Sequence, residues 1–263
     1  MTLILHCGGK PATFEDICSI PVPPSTATYR GVPHGDITRL VIDRVKKETG
    51  LLPTEMQFGL NRDGAQMFGV LKYEDTFAGS NYGMMYGLRN SYDKSLSIGI
   101  AHGISVLVCD NLAIHGSRFS VLRKHTGNCW DDVIQMVVRA AMDTEVHTRR
   151  MGQWLDALKD TSMDLGRGYE ILGLATGQGL LAMNQFSRAL QEWRSIETKP
   201  EYRHSEFRDT GYALYQAFTE GLKQGAVDRK LDAYCGVSQL FEELHLAPTL
   251  DGDVVDAEFE RMN

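Results

Sequence analysis

The chain has 263 residues, is 43% hydrophobic and 23% charged, and sets 27 Lys and Arg against 34 Asp and Glu, a formal net charge of −7. These are ordinary globular values and exclude a disordered or fibrous chain. No apolar run approaches the ~20 residues of a membrane-spanning helix, so no membrane partner is expected.

Residues 1–35 are rich in Pro, Gly and Thr and read as an irregular N-terminal arm, with a short strand at Leu3 to His6. Met1 to Gly9 set no basic residue before their apolar run, which reads against a signal peptide. Asp36 has the chemistry of a helix N-cap, and Ile37, Leu40, Val41 and Val45 follow at helical spacing until Gly50 and Pro53.

The period then changes to two. Met56, Phe58 and Leu60 alternate with Gln57 and Gly59, Asn61 to Gly64 supply a turn, and Met67 to Tyr73 return as a second strand. A second hairpin is expected from Met84–Arg89 and Leu96–Ala101 around a polar turn at Asn90 to Lys94. Ile104 to Cys109 reads as a separate central strand, and Phe119 to Leu122 as one more.

After Asn128 the spacing of Trp130, Val133, Ile134, Val137, Val138, Ala141 and Met142 predicts one long helix, continuing through Trp154, Leu155 and Leu158. Further helices are expected near 165–176, 179–197, 209–224 and 227–245. Strands first and helices afterwards mean α+β: an N-terminal helix plus antiparallel β-hairpins, then a long helix and a C-terminal helical region. The expected organisation is an arm at 1–35, an α+β core at 36–160, a helical region at 161–246 and an acidic tail at 247–263.

The charge is divided unevenly. Residues 1–150 hold 16 Lys and Arg and 15 Asp and Glu, a net +1, whereas residues 151–263 hold 11 and 19, a net −8. A polyanion would meet the first half, because like charge costs affinity and encounter rate. The plainer reading of the second half is that its solvated helices simply carry surface acids.

The cysteines, Cys7, Cys18, Cys109, Cys129 and Cys235, are odd in number and widely spaced, which suits reduced thiols in a cytoplasm. No Cys-x-x-Cys or His-x-x-x-His pair supports a zinc site, and no cofactor is expected.

Catalytic motifs are weak. Gly103-Ile-Ser105-Val-Leu107 fails the nucleophile elbow at its last position. His102, Cys109, Asp110 and His115 lie near one strand's ends and could build a Cys/His site, yet both histidines also read as turn residues beside glycines. Gly173 to Gly179 lacks the Lys-Ser/Thr of a phosphate loop, and Asp251, Asp253 and Asp256 read as a solvated tail. No enzyme is expected.

The stretch from Lys72 to Lys124 carries the binding signal. Lys72, Arg89, Lys94, Arg118, Arg123 and Lys124 are interleaved with Tyr73, Tyr82, Tyr86 and Tyr92. A sheet face bearing cations and aromatic rings can hold phosphates and stack unpaired bases. Aromatics are also good strand residues, and cations suit a solvated sheet edge.

Three segments in order, Asn90-Ser91-Tyr92-Asp93, Val108-Cys109-Asp110-Asn111-Leu112 and Tyr215-Gln216-Ala217-Phe218-Thr219-Glu220, resemble motifs of a family of phage- and plasmid-like proteins. That family is known only as a domain of unknown function, number nine hundred and thirty-two, and the resemblance covers roughly residues 35–245. Tyr92 stands where the family usually has histidine, and Leu112 where it has glycine. The resemblance implies a phage or plasmid gene product acting in the host bacterial cytoplasm, with no established activity to carry over.

The expectation is a phage-encoded, non-enzymatic protein that binds single-stranded DNA as a homo-oligomer, in phage DNA replication, recombination or transcription. Lys72, Arg89, Lys94, Arg118, Arg123 and Lys124 would contact DNA phosphates, and Tyr86 and Tyr92 would stack bases. The alternative is an interaction module that binds a host protein, as an RNA polymerase cofactor or an inhibitor of a defence enzyme; its support is the acidic second half. A hydrolase built on Cys109 with His102 or His115 comes third.

Overall fold

The structure, a computed structural model, describes residues 9–73, 82–106, 112–113, 121–195, 207–223 and 227–248. The chain is mixed α and β. Its strands are β1 (Lys10–Ala12), β2 (Glu55–Asn61), β3 (Gln66–Tyr73), β4 (Tyr82–Ser91), β5 (Ile98–Val106), β6 (Leu112–Ala113) and β7 (Val121–Arg123). Its described helices are α1 (Phe14–Ser19), α2 (His34–Thr49), α3 (Cys129–Met142), α4 (Thr144–Asp160), α5 (Leu165–Gly177), α6 (Met183–Ser195), α7 (Gly211–Leu222) and α8 (Val227–Glu243).

The strands form one antiparallel sheet in the order β1-β2-β3-β4-β5-β6, and β7 also pairs with β5. β6 meets β5 at Ile104 and Ser105, and β7 meets it at Ile98 to Ile100, so both short strands line the same edge. Leu3 to His6, where a strand is expected, and the 247–263 tail beyond Pro248 lie outside the described residues.

The arm is more ordered than its composition suggests. Thr13 caps α1: its hydroxyl accepts from the Asp16 N–H at 3.1 Å, and the Asp16 carboxylate accepts from the Thr13 N–H at 2.8 Å. This reciprocal pair satisfies two amides the first turn would leave bare. β1 then pairs with Phe58 to Leu60 of β2, tying the arm to the sheet edge.

α2 begins three residues earlier than expected. Pro33 takes the N-cap, and Asp36 sits in the first turn, where it pairs with Arg39 at 3.0 Å and favours the positive end of the dipole. The helix stops at Gly50, whose φ of 77° lets its N–H close onto the Lys46 carbonyl at 2.8 Å.

Two other expected boundaries shift. His102-Gly103 is not a turn: Ile98 to Val106 run as one strand, with Gly103 opposite Met85 of β4. The long helix divides at Asp143, whose ψ of 0° ends α3 and starts α4.

Both faces of the sheet are buried, in different cores. Met67, Leu71, Tyr73, Met84, Tyr86, Leu88, Ile98 and Ile100 pack with Ile17 of α1, Ile37, Val41 and Val45 of α2, and Val133 and Val137 of α3. Phe68, Val70, Met85 and Ala101 point the opposite way and pack with Trp154 and Leu155 of α4, Tyr215 and Phe218 of α7, and Leu240 and Phe241 of α8. The helices beyond residue 160 therefore share a core with the sheet. An antiparallel sheet with one solvated face would alternate in polarity; this one is roofed on both sides.

Candidate functional site

The two roofs decide what the sheet can offer. Tyr86 is 1% exposed, and its hydroxyl meets the Thr144 hydroxyl of α4 at 2.5 Å. Burial pushes its phenol up to about 12. Tyr92 stacks on His34 of α2 with centroids 4.0 Å apart and planes within 8°, and its hydroxyl accepts the His34 backbone N–H at 2.9 Å. Both rings are held against helices, Tyr86 by α4 and Tyr92 by α2, so a base could stack on them only if a helix moved. The physical reason is the helical cover, which the expectation that Tyr86 and Tyr92 stack bases did not include.

The cations divide into two groups. Arg89 lies on the α8 side of the sheet, its side chain 8% exposed, and donates to Asp232 of α8 at 2.8 Å. Lys72 pairs with Glu55 of β2 at 2.8 Å. Both are already committed to a carboxylate. Arg118 lies outside the described residues, as do Cys109, Asp110 and His115.

Lys94 and Arg123 lie beside a residue that the cation pattern does not include, Arg30, and Lys124 adjoins them through its chain neighbour His125. The Arg30 backbone N–H donates to the His125 carbonyl at 3.0 Å, and the Arg30 carbonyl faces His125 Nδ1 at 3.1 Å. This pair of hydrogen bonds clasps the arm to the loop between β7 and α3. Beside it, the Tyr29 ring lies 5.5 Å from the His125 ring, and Lys94 Nζ sits 5.2 Å from the Tyr29 centroid. Arg30 and Arg123 are both close enough to Cys129, at the start of α3, to offset part of the burial that raises its thiol.

Three separate segments thus deliver four cations around one aromatic pair. Arg30, Lys94 and Lys124 are exposed, and Arg30 and Lys124 form no ion pair with a described residue. The acids nearby are largely engaged. Asp132 takes Arg123 at 2.7 Å, and Asp93 takes Arg62 at 2.8 Å; Asp131 is exposed in the first turn of α3.

Tyr29, Arg30 and His125 were missed because their meeting is a long-range event, the Arg30–His125 bonds spanning 95 positions. The only local signals were Tyr29 beside Arg30 and His125 beside Lys124, each ordinary alone.

The arrangement around His102 suits packing. Its ring is 5% exposed and meets Thr148 at 3.3 Å and the Tyr86 ring at a centroid distance of 5.0 Å. Burial, then the nearby His147, pull the imidazole down to about 3, so it is neutral at ordinary pH. Among the described residues no group of three or more His, Cys, Asp or Glu could hold a metal ion, and no helix is long and apolar enough to cross a membrane.

Comparison with protein-family models, with curated proteins and with solved structures finds no match to this chain.

Proposed function

We propose that this is a phage-encoded protein that binds single-stranded DNA in the host cytoplasm and acts in phage DNA replication, recombination or transcription. The observation that carries the reading is the convergence of Arg30, Lys94, Arg123 and Lys124 on one patch, three of them without a carboxylate partner among the described residues. Cations that are exposed and unspent are what a phosphate backbone recruits, since neutralised phosphates release their counterions.

The charge division supports the same placement. The patch lies in the half with net +1, and the half with −8 would repel a polyanion from the rest of the surface. The order of helix, antiparallel hairpins and helices also suits single-strand annealing proteins, a fold-level analogy. The three motifs resembling a phage and plasmid family supply the setting. Four cations give a weak grip per copy, so a homo-oligomer, which repeats the patch along one strand, is the economical way to hold it.

Retention of a labelled oligothymidylate measured against salt tests the reading. Four phosphate contacts predict a slope of log K on log salt of about −3 for a single strand. No retention at ~50 mM salt, where such contacts are strong, overturns it. Recovery instead of a stoichiometric host protein that survives nuclease would favour the protein-interaction alternative.

A further inference from the structure

We infer that Tyr29 is a base-stacking platform and Lys94 its displaceable cover: an unpaired nucleotide entering the basic patch replaces the lysine ammonium on the ring, and the ammonium moves to that nucleotide's phosphate. The inference rests on the single-stranded DNA reading above and names the subsite within it.

Two groups of different kinds lie against the ring. One is the His125 imidazole, tilted by 36° and clasped to the arm by the Arg30 backbone. The other is the Lys94 ammonium, at 5.2 Å. Tyr29 is 4% exposed, whereas Lys94 is exposed. A lysine is a point charge on a flexible four-carbon stem, and such a cover lifts without moving the backbone. A base offers the same ring a stacking partner of its own shape, and brings a phosphate for the released cation.

The backbone at Lys94 is held in an unusual state. Its φ is 63°, a left-handed conformation that glycine or asparagine adopts more readily. The turn is fixed by Asp93, whose carboxylate accepts from the Ser95 N–H at 3.0 Å, the Ser95 hydroxyl, Arg62 and Gln66. A well-braced turn thus holds a lysine, whose stem and ammonium reach the Tyr29 ring, where a glycine would relax.

Two polar atoms beside the ring complete the site. The Tyr29 hydroxyl and His125 Nε2 are both buried without a hydrogen-bond partner among the described residues. His125 Nδ1 faces a carbonyl, which only accepts, so Nδ1 carries the proton of the neutral ring and Nε2 is a bare acceptor. One donor and one acceptor thus await a partner, and the hydrogen-bonding edge of a base carries both kinds of group.

The test is fluorescence anisotropy with a labelled oligothymidylate of about 16 nucleotides, a site size within reach of one binding unit, and an abasic oligomer of equal length. Wild-type protein is expected to favour the thymidylate about tenfold, the size of one stacked base, and Tyr29→Leu to lose that preference. Lys94→Gly, which relieves the left-handed residue, is expected to melt no lower than wild type while its salt slope falls by about 0.7, one single-strand phosphate contact. That variant keeps the proposal testable even if Tyr29→Leu fails to fold. Equal binding of both oligomers by wild type, or an unchanged salt slope in Lys94→Gly, overturns the platform and leaves the basic patch standing. Binding of neither oligomer overturns both.

Discussion

Asn90 donates its side-chain N–H to Nδ1 of His34 at 2.9 Å, and this contact fixes the charge of the imidazole. The same Asn90 nitrogen donates to the Val32 carbonyl at 2.8 Å, so it is the amide's donor end. His34 Nε2 lies 3.0 Å from the Gly64 carbonyl, which can only accept. The ring is therefore neutral with its proton on Nε2. A second proton on Nδ1 would face the Asn90 N–H and break the link between α2 and β4.

A pH dependence follows. Burial, the dominant cause, pulls His34 from 6.5 down to about 4. Burial lowers His102 and His125 as well. In the folded state these rings bind fewer protons than in the unfolded chain once pH drops below 6.5. Stability is then fully present above that pH and is lost as pH falls toward the folded values. His34 alone predicts a loss of about 2 kcal/mol by pH ~5, at about 1.4 kcal/mol per pH unit. Urea unfolding at pH ~7 and ~5 measures it, and equal stability at the two would refute the neutral, buried assignment.

The sheet's two-sided burial was partly legible. β3 reads Met67, Phe68, Gly69, Val70, Leu71, with no polar residue to face solvent, and such a run marks a strand covered on both faces. β2 alternates more cleanly, the pattern of a strand with one solvated face. The helices from α2 onward are legible from their periodicity, but α1, inside a segment that reads as an irregular arm, is not, and neither is the break at Asp143, because apolar spacing continues across it from Ala141 to Trp154. The basic patch was half legible: Lys94, Arg123 and Lys124 stood out as cations, whereas Tyr29 and His125 acquire meaning only through tertiary contact.

Gly69 shows how closely that sheet is packed. It pairs directly with Phe58 of β2, and the Phe58 ring lies over it. A methyl at position 69 would sit 2.8 Å from Phe58 Cδ1, and Phe58 is itself buried. Gly69→Ala is expected to cost about 1–3 kcal/mol, the usual range for overpacking. Adding Phe58→Leu should return part of that loss, because the smaller side chain vacates the contested space. A fully additive double variant in thermal or urea unfolding would show that the two do not touch.

The patch predicts a contrast among cations. Arg30→Ala with Lys124→Ala removes two exposed charges that make no ion pair with a described residue, so the fold should keep its stability to within about 0.5 kcal/mol. Affinity for an oligothymidylate should drop, and the salt slope should shrink by about 1.4, two single-strand contacts. Lys72→Ala, which removes a cation paired with Glu55 away from the patch, should leave the slope unchanged. The reading fails if Lys72→Ala and the double variant weaken binding equally.

Tyr86 and Thr144 allow the sharpest test of the helical roof, because their bond is asymmetric. The Thr144 hydroxyl donates to the Ala140 carbonyl one turn back, at 3.2 Å. It must therefore accept from Tyr86, whose O–H donates at 2.5 Å. Tyr86→Phe removes the donor and leaves Thr144 with its own bond intact, so the cost should stay near the net value of one hydrogen bond, about 1 kcal/mol. Thr144→Val keeps the shape but strands a buried phenol hydroxyl without an acceptor, a penalty of about 1–3 kcal/mol. Both residues are fully buried, so water cannot reach in to compensate. The expected order by urea unfolding is Thr144→Val worse than Tyr86→Phe. The double variant should recover to near Tyr86→Phe, since no stranded hydroxyl remains. The reverse order would mean that Tyr86 has another acceptor, and that α4 is not held to the sheet through this bond.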